Sequence, residues 1–333
     1  SVELIGDQAL WDEFVERSPY GLLFHRWDFL RIMEKHTRYQ LFPYGIYRGN
    51  ELICIFPLFY RYYNGLNMVF SPPPLTSVPY LGPVMAPVYD TVKQKRKEIY
   101  GNAIGDEIDA EIKKFMPNYT SIITAPEFID VRPFKWNGYG VENHYTYVID
   151  LRDPLGVIWK NFGKDCRERI KSFGKPGVKI EQSYDVARLY NMLKKLFNDQ
   201  GMNLPLTGQA YLDDIFQTFP DNLKIHFLTQ DKTLQDIEVS CEYKDTFRLL
   251  WGLSIINKKL YGNQEFATWE LIKRAKESGY KKFEIVGANT QRFCTYQSKF
   301  NPSLEMFFTL TKTDLIGNLA QWSYYNLVRK KLI

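Results

Sequence analysis

The chain has 333 residues, 45% of them hydrophobic and 24% charged, with a formal net charge of +5. That length suggests about two domains, each able to bury its own core, which excludes a scaffold dependent on metal or disulfide staples. The mild positive charge admits an anionic partner without demanding nucleic acid, so no DNA partner is expected.

Aromatic residues make up 16% of the chain, which favours packed sheets and stacking pockets. Cys54, Cys166, Cys241 and Cys294 are far apart and form no CxxC pair, so neither a zinc cage nor a disulfide framework is implied. A reducing, cytoplasmic location is expected. The opening "SVELIGDQALWDEF" lacks a basic segment followed by an apolar one, so it does not read as a secretory leader. No apolar run approaches ~18 residues, and no transmembrane helix is expected.

In chain order, "DQALWDEFVER" and "WDFLRIMEKH" have helical periodicity, with Asp7 placed to cap the first. The run 41–63 reads as a β-hairpin turning at "RGNEL". The segment 70–87 contains too many prolines for a helix or a central strand. A charged helix is expected over 90–116, then strands at "TSIITAP" and "NHYTYVIDL", with a domain boundary near 150–153. The second half predicts a helix over 155–174, a strand in "KPGVKIEQS", and helices over 185–201 and 207–219. Three strands follow: "LKIHFLTQ", "QDIEVSCEY" and "TFRLLWGLSI". The long helix 263–279 then crosses over to the buried strand "KKFEIVGA", a βαβ connection that implies parallel neighbours. A loop and one last strand complete the pattern. A mixed sheet with helices on both faces results; the first half has a comparable order without an evident sequence repeat.

Four stretches carry a family resemblance. "YVIDLRDPLGVIWKNFGKDCRERIKSFGKPGVKIE", "ATWELIKRAKESGYKKFEIVGAN", "SKFNP" and "ELICIFPLFY" stand in the order of the FemAB/FemX-like transferases of the GNAT superfamily, and the chain resembles that family over most of its length. The resemblance implies an α/β fold of two tandem GNAT-like domains, 1–150 and 151–313, with a substrate channel between or along them. It also implies a C-terminal helix, 314–333, that packs back on the first domain; the apolar face of this segment also suits a membrane surface. The implied activity moves an activated acyl group, from acyl-CoA or aminoacyl-tRNA as co-substrate, to an amine acceptor that is free or nucleotide-linked. A tRNA partner goes with the second donor, and no tightly bound cofactor is implied.

Acyl transfer needs in-line placement of two reactants and stabilisation of a developing oxyanion. Lys299 matches the lysine of the family's "fKxxF" element and is the expected catalytic cation, with Phe300 as its apolar brace and Tyr296 beside it. Read alone, Lys299 is equally a solvated loop cation. Residues 164–179 form the densest basic cluster, where Arg167, Arg169 and Lys171 can receive a phosphate. Arg167 also matches a family arginine. The loop 256–266, where a standard acetyltransferase has a glycine-rich pyrophosphate cradle, holds Gly262 alone, and Trp251, Tyr261 and Asn263 are its pocket candidates. That departure leaves open a transferase-like module that binds a nucleotide-linked or RNA ligand without catalysis. The four histidines are scattered, with His226 read as structural, and Glu284 is read as facing outward, with a buried carboxylate base as the alternative.

Overall fold

The computed structural model describes residues 1–254 and 262–323. In chain order the elements begin with β1 (Val2–Leu4), α1 (Gln8–Arg17), α2 (Trp27–Thr37), β2 (Gln40–Arg48), β3 (Glu51–Tyr63) and β4 (Leu66–Ser71). They continue through β5 (Val84–Met85), α3 (Val88–Thr91), α4 (Gln94–Lys114), β6 (Tyr119–Ile123), α5 (Arg132–Trp136) and β7 (Gly140–Asp150). Next come α6 (Leu155–Asn161), α7 (Lys164–Phe173), β8 (Val178–Ser183), α8 (Val186–Asp199) and α9 (Gln209–Thr218). The last are β9 (Leu223–Gln230), β10 (Thr233–Tyr243), β11 (Thr246–Ser254), α10 (Asn263–Glu277), β12 (Lys282–Ile285), α11 (Gln291–Gln297), β13 (Ser303–Thr313) and α12 (Leu315–Ser323).

The chain divides into two compact units: residues 1–144 with 197–211 and the segment from Met306 onward, and residues 145–196 with 212–305. The division lies at 144/145, where the sequence reading put it at 150, and two later segments return to the first unit. Both units use one topology. In the first, β1, β2, β3 and β4 pair antiparallel in succession, β4 pairs parallel with β6, and β13 closes antiparallel on β6. In the second, β8, β9, β10 and β11 pair antiparallel, β11 pairs parallel with β12, and β7 closes antiparallel on β12. This is the expected tandem α/β arrangement.

The local reasons are ordinary. Asp7 caps α1, its carboxylate accepting from the amides of Ala9 and Leu10 at 2.8 and 3.2 Å. In the second unit, Phe247 stacks on Phe283 at 5.2 Å and packs with Leu271, Ile272 and Ala275 of α10. At the C-terminus, Asp314 accepts from the Gly317 amide at 2.7 Å and from Asn118 Nδ2 at 2.7 Å, which ties the start of α12 to the first unit. Leu315 and Leu319 stay exposed there.

Three readings change. The helix expected over 155–174 is two helices, because the chain is extended at Phe162 and Gly163 and the Gly163 amide donates to the Lys299 carbonyl at 2.8 Å. The charged helix over 90–116 likewise divides into α3 and α4. The stretch read as a loop after Ala288 contains α11 and a 3-10 turn over Ser298–Phe300.

Candidate active site in the second unit

Strand β10 has an unusual stripe. Alternate residues share a face of a strand, and here Asp236, Glu238, Ser240 and Glu242 occupy one face while 0, 2, 0 and 4% exposed. Burying that many polar groups costs free energy unless each finds a partner. The lower half of the stripe does. Glu242 receives Lys224 Nζ at 2.6 Å and the Tyr280 hydroxyl at 3.2 Å, while Ser240 Oγ donates to its other oxygen at 3.1 Å. His226 Nε2 lies 2.9 Å from Ser240 Oγ, and its Nδ1 lies 3.0 Å from the Arg274 guanidinium. Burial first, then Arg274 and Lys224, push this imidazole down to about 3. A neutral ring with a cation behind it cannot activate Ser240 as a nucleophile, since that role needs a carboxylate to orient and stabilise the imidazolium. His226 is structural, as its place in a strand suggests.

The upper half of the stripe is different. Asp236 Oδ1 accepts from the neighbouring Ile237 amide at 2.9 Å, whereas Asp236 Oδ2 and Glu238 Oε2 are enclosed without a hydrogen-bond partner. Burial lifts Asp236 to about 8, and the Glu265 carboxylate adds to the effect. Burial and then Asp236 raise Glu238 well above the usual carboxylate range. The Tyr296 hydroxyl, from α11, is held protonated by burial and by Glu265, Glu238 and Asp236 together. Asp236, Glu238, Glu265 and Tyr296 thus lie within electrostatic reach of one another.

Cations stand at the rim of this cluster. Glu265, 3% exposed, lies 3.4 Å from Arg169 Nη1 and 3.7 Å from Lys299 Nζ. Lys299 also lies 3.4 Å from Asp165 and 5.9 Å from the centre of the Tyr296 ring. Its backbone is pinned by the Gly163 amide, and the buried Phe300 packs edge-on against Phe162 at 5.2 Å and Tyr296 at 6.0 Å. Lys299 is thus a half-buried cation on a rigid 3-10 turn. At the helix start, Gly262 has φ +103°, and a Cβ there would come within 2.6 Å of the Arg169 carbonyl, so only glycine brings α10 this close to α7.

Beside the cluster, β11 and β12 pair parallel only from Thr246/Lys282 to Leu249/Ile285. A bulge between Val239 and Ser240 of β10 turns β11 at this point, Leu250 being the extra residue. Beyond it, no ladder partner for the β12-side edge of β11 exists among the described residues. Gly252 lies on this stretch, exposed to solvent and directly across from Glu238. A Cβ on Gly252 would sit 2.8 Å from Glu238 Oε2.

The expected site residues are thus distributed unevenly. Lys299, Arg169, Tyr296 and Phe300 come together around Glu265. Arg167 lies apart from them: its Nη1 donates to the Lys160 and Phe162 carbonyls at 2.7 and 2.5 Å, closing the C-terminus of α6. Lys171 lies 6.0 Å over the Trp159 ring. Asn263 starts α10 and donates to the Gln235 carbonyl at 3.3 Å. Trp251 is half-buried across from Val239, on the face opposite Glu238. Tyr261 lies outside the described residues. Glu284 does not face outward: it is buried, 2.7 Å from Arg248 Nε, and accepts from Thr146 at 3.0 Å. The residues missed from sequence are Asp236, Glu238 and Glu265. Among the described residues, no group of His, Cys, Asp and Glu side chains is arranged to hold a metal ion, and no helix is long and apolar enough to cross a membrane.

Residues 160–297 match the family described as Acetyltransferase (GNAT) domain. That match covers α7 to α11 and ends just before the 3-10 turn that carries Lys299 and Phe300. Among solved structures, the chain is similar to FemX at 11% identity, with 97% of this chain and 99% of that one covered and a TM-score of 0.69. It is also similar to L-PGS from Bacillus licheniformis (12% identity, 95% and 96% covered, TM-score 0.54). A third likeness is to a tandem GNAT protein from the clavulanic acid biosynthesis pathway (8% identity, 94% and 98% covered, TM-score 0.52). No curated protein matches. The fold is therefore that of FemX, built from two GNAT-like units, and residues 160–297 match the acetyltransferase (GNAT) domain.

Proposed function

We propose that this chain, with its FemX-type fold and its GNAT-class domain at residues 160–297, is an N-acyltransferase that moves an activated acyl group onto an amine. The observation that carries the reading is the parting of β11 from β12 after Leu249/Ile285, beside a buried carboxylate cluster. Unpaired main-chain groups on a strand edge accept an extended, amide-bearing ligand as an added strand. A thioester or ester carrier arm laid there would bring its carbonyl carbon to the bulge. Lys299, rigidly held and half-exposed, supplies positive charge for a donor phosphate or for the oxyanion.

The donor is acyl-CoA or aminoacyl-tRNA, both cytoplasmic. The similarity to FemX and L-PGS favours the aminoacyl donor, and so does the single glycine in the 256–266 loop, because a pyrophosphate cradle usually needs more. Thermal-shift titration with acetyl-CoA and with charged tRNA separates the two, since a ligand bound only by the native state raises Tm. With the stabilising donor, Lys299→Ala is expected to lower transfer to an amine at least tenfold while leaving Tm within about a degree. An unchanged rate would remove Lys299 from the mechanism. Salt-sensitive tRNA binding with no transfer to any amine would instead support a non-catalytic binding module.

A further inference from the structure

One end of the first unit gathers three turns. The β3–β4 turn, the α4–β6 connection and the β13–α12 junction meet there, because Met68 and Thr313 both pair with Tyr119. Asn118 holds them together. Its Oδ1 accepts from the Asn67 amide at 2.8 Å, its Nδ2 donates to Asp314 at 2.7 Å, and its carbonyl accepts from the Asp314 amide at 3.2 Å. Asn67 Nδ2 donates in turn to the Met116 carbonyl at 3.2 Å. A Cβ on Gly317 would overlap the Asn118 carbonyl, so glycine lets α12 lie directly against this turn. The orientation of the first turn of α12 is thereby fixed.

What these turns present to solvent is apolar. Leu315, Ile316 and Leu319, on one face of α12, are 82, 58 and 66% exposed. Met116 is 76% exposed, and Tyr62 and Tyr63 are 64 and 50% exposed. Met116 has φ +46°, a conformation in which glycine or asparagine is favoured, so the turn keeps a large exposed apolar side chain against its backbone preference. Single apolar residues on a surface need no explanation, but six on turns pinned by one asparagine mark a contact surface.

The charges nearby have one sign. Lys113 and Lys114 close α4 just before Met116, with side chains 66 and 65% exposed, while the acids that pair with them, Asp109 and Glu111, are 3 and 13% exposed. Arg61 lies 4.5 Å over the Tyr63 ring. The Asp314 carboxylate is taken up by Asn118 and the Gly317 amide. The sequence that continues from Leu319, "AQWSYYNLVRKKLI", adds Trp322, Tyr324 and Tyr325 and then Arg329, Lys330 and Lys331. Apolar side chains joined to Trp, Tyr and a basic run are the composition of a segment that lies at a bilayer interface. A protein partner requires a closely packed, shape-matched core. Separate side chains on three turns suit a fluid that moulds itself around them.

We propose that this end of the first unit is a docking surface for an anionic lipid bilayer. Leu315, Ile316, Leu319 and Met116 enter the boundary between headgroups and acyl chains, and Lys113, Lys114 and Arg61 meet the lipid phosphates. The attachment is peripheral and reversible. It is independent of the acyl-transfer reading, which concerns the second unit.

The test is flotation of the whole chain with vesicles of phosphatidylcholine alone and of an equal mixture of phosphatidylcholine and phosphatidylglycerol. The wild type is expected to partition at least tenfold better into the mixed vesicles and to be released by raised salt. Leu315→Gln, Ile316→Gln and Leu319→Gln together should weaken that binding at least tenfold and leave Tm within about a degree, since all three side chains are exposed. Met116→Gly, whose backbone suits glycine, should weaken it severalfold while the fold is retained. Lys113→Gln with Lys114→Gln should reduce the preference for the anionic lipid. Failure of the wild type to float with the mixed vesicles, or equal flotation of the triple glutamine variant, would overturn the proposal. So would a concentration-dependent dimer in gel filtration that the triple variant dissolves while vesicle binding is absent, which would assign the surface to a second copy of the chain.

Discussion

Strands β3 and β10 hold the same place in their units, third from the outer edge and two before the parallel partner, yet they are filled in opposite ways. In β3, Ile53, Cys54, Ile55, Phe56, Leu58 and Phe59 are all buried, so both faces meet hydrocarbon. In β10 one face is equally apolar, with Ile237, Val239 and Cys241, and the other buries Asp236, Glu238, Ser240 and Glu242. One topology thus serves twice. In the first unit it makes a core; in the second, part of that core is exchanged for buried ionisable groups.

The contrast can be broken most forcefully at the buried ion pair. Arg248→Met leaves Glu284 uncompensated at 3% exposure and is expected to cost about 3–5 kcal/mol in denaturant unfolding. Adding Glu284→Leu should recover most of that loss. Phe56→Ala in the first unit should cost a similar ~3–5 kcal/mol, but through a cavity, with no second-site recovery. If Arg248→Met is as mild as a surface substitution, the second unit's charges are not truly desolvated.

Asp236→Asn sharpens the comparison through pH. Folded Asp236 keeps its proton to about 8, whereas an unfolded aspartate releases it near ~4. Its contribution to stability is therefore intact below ~4 and is lost as pH rises toward 8. The variant should match wild type at pH 4 and exceed it at pH 9 by on the order of 5 kcal/mol. A gain that is flat with pH would assign the effect to packing. The smallest effect belongs to Arg152→Ala. Its exposed pair with Asp150 is screened by solvent, and its loss should fall within the scatter of a thermal scan.

Most of the fold was legible from periodicity and punctuation, down to the crossover that makes β11 and β12 parallel. The Lys299–Phe300 pair came from the family resemblance, since Lys299 read alone was equally a solvated loop cation. The carboxylates were not. In "QDIEVSCEY" the polar residues alternate, which in one sequence reads as a solvent face; only the packing of α7, α10 and α11, brought from distant parts of the chain, turns that face inward. Glu265 was concealed in the first turn of a helix, where an acidic residue is expected for the dipole alone. The seven residues of α11 are too few for a periodic signal, so Tyr296 was placed in a loop. The interruption between α6 and α7 had a visible cue, Gly163, but a lone glycine is often tolerated within a helix.

The bond from the Gly163 amide to the Lys299 carbonyl joins the beginning of the second unit to nearly its end. On the ribosome, Arg169 and Glu265 emerge and can meet before Lys299 leaves the exit tunnel, so the acid is never without a counter-charge. The lysine that completes the site takes its place only when almost the whole unit has been synthesised, and long-range closure of this kind is slow. Nascent chains released short of residue 299 would lack this cation together with β13, the strand that closes the first unit's sheet on β6.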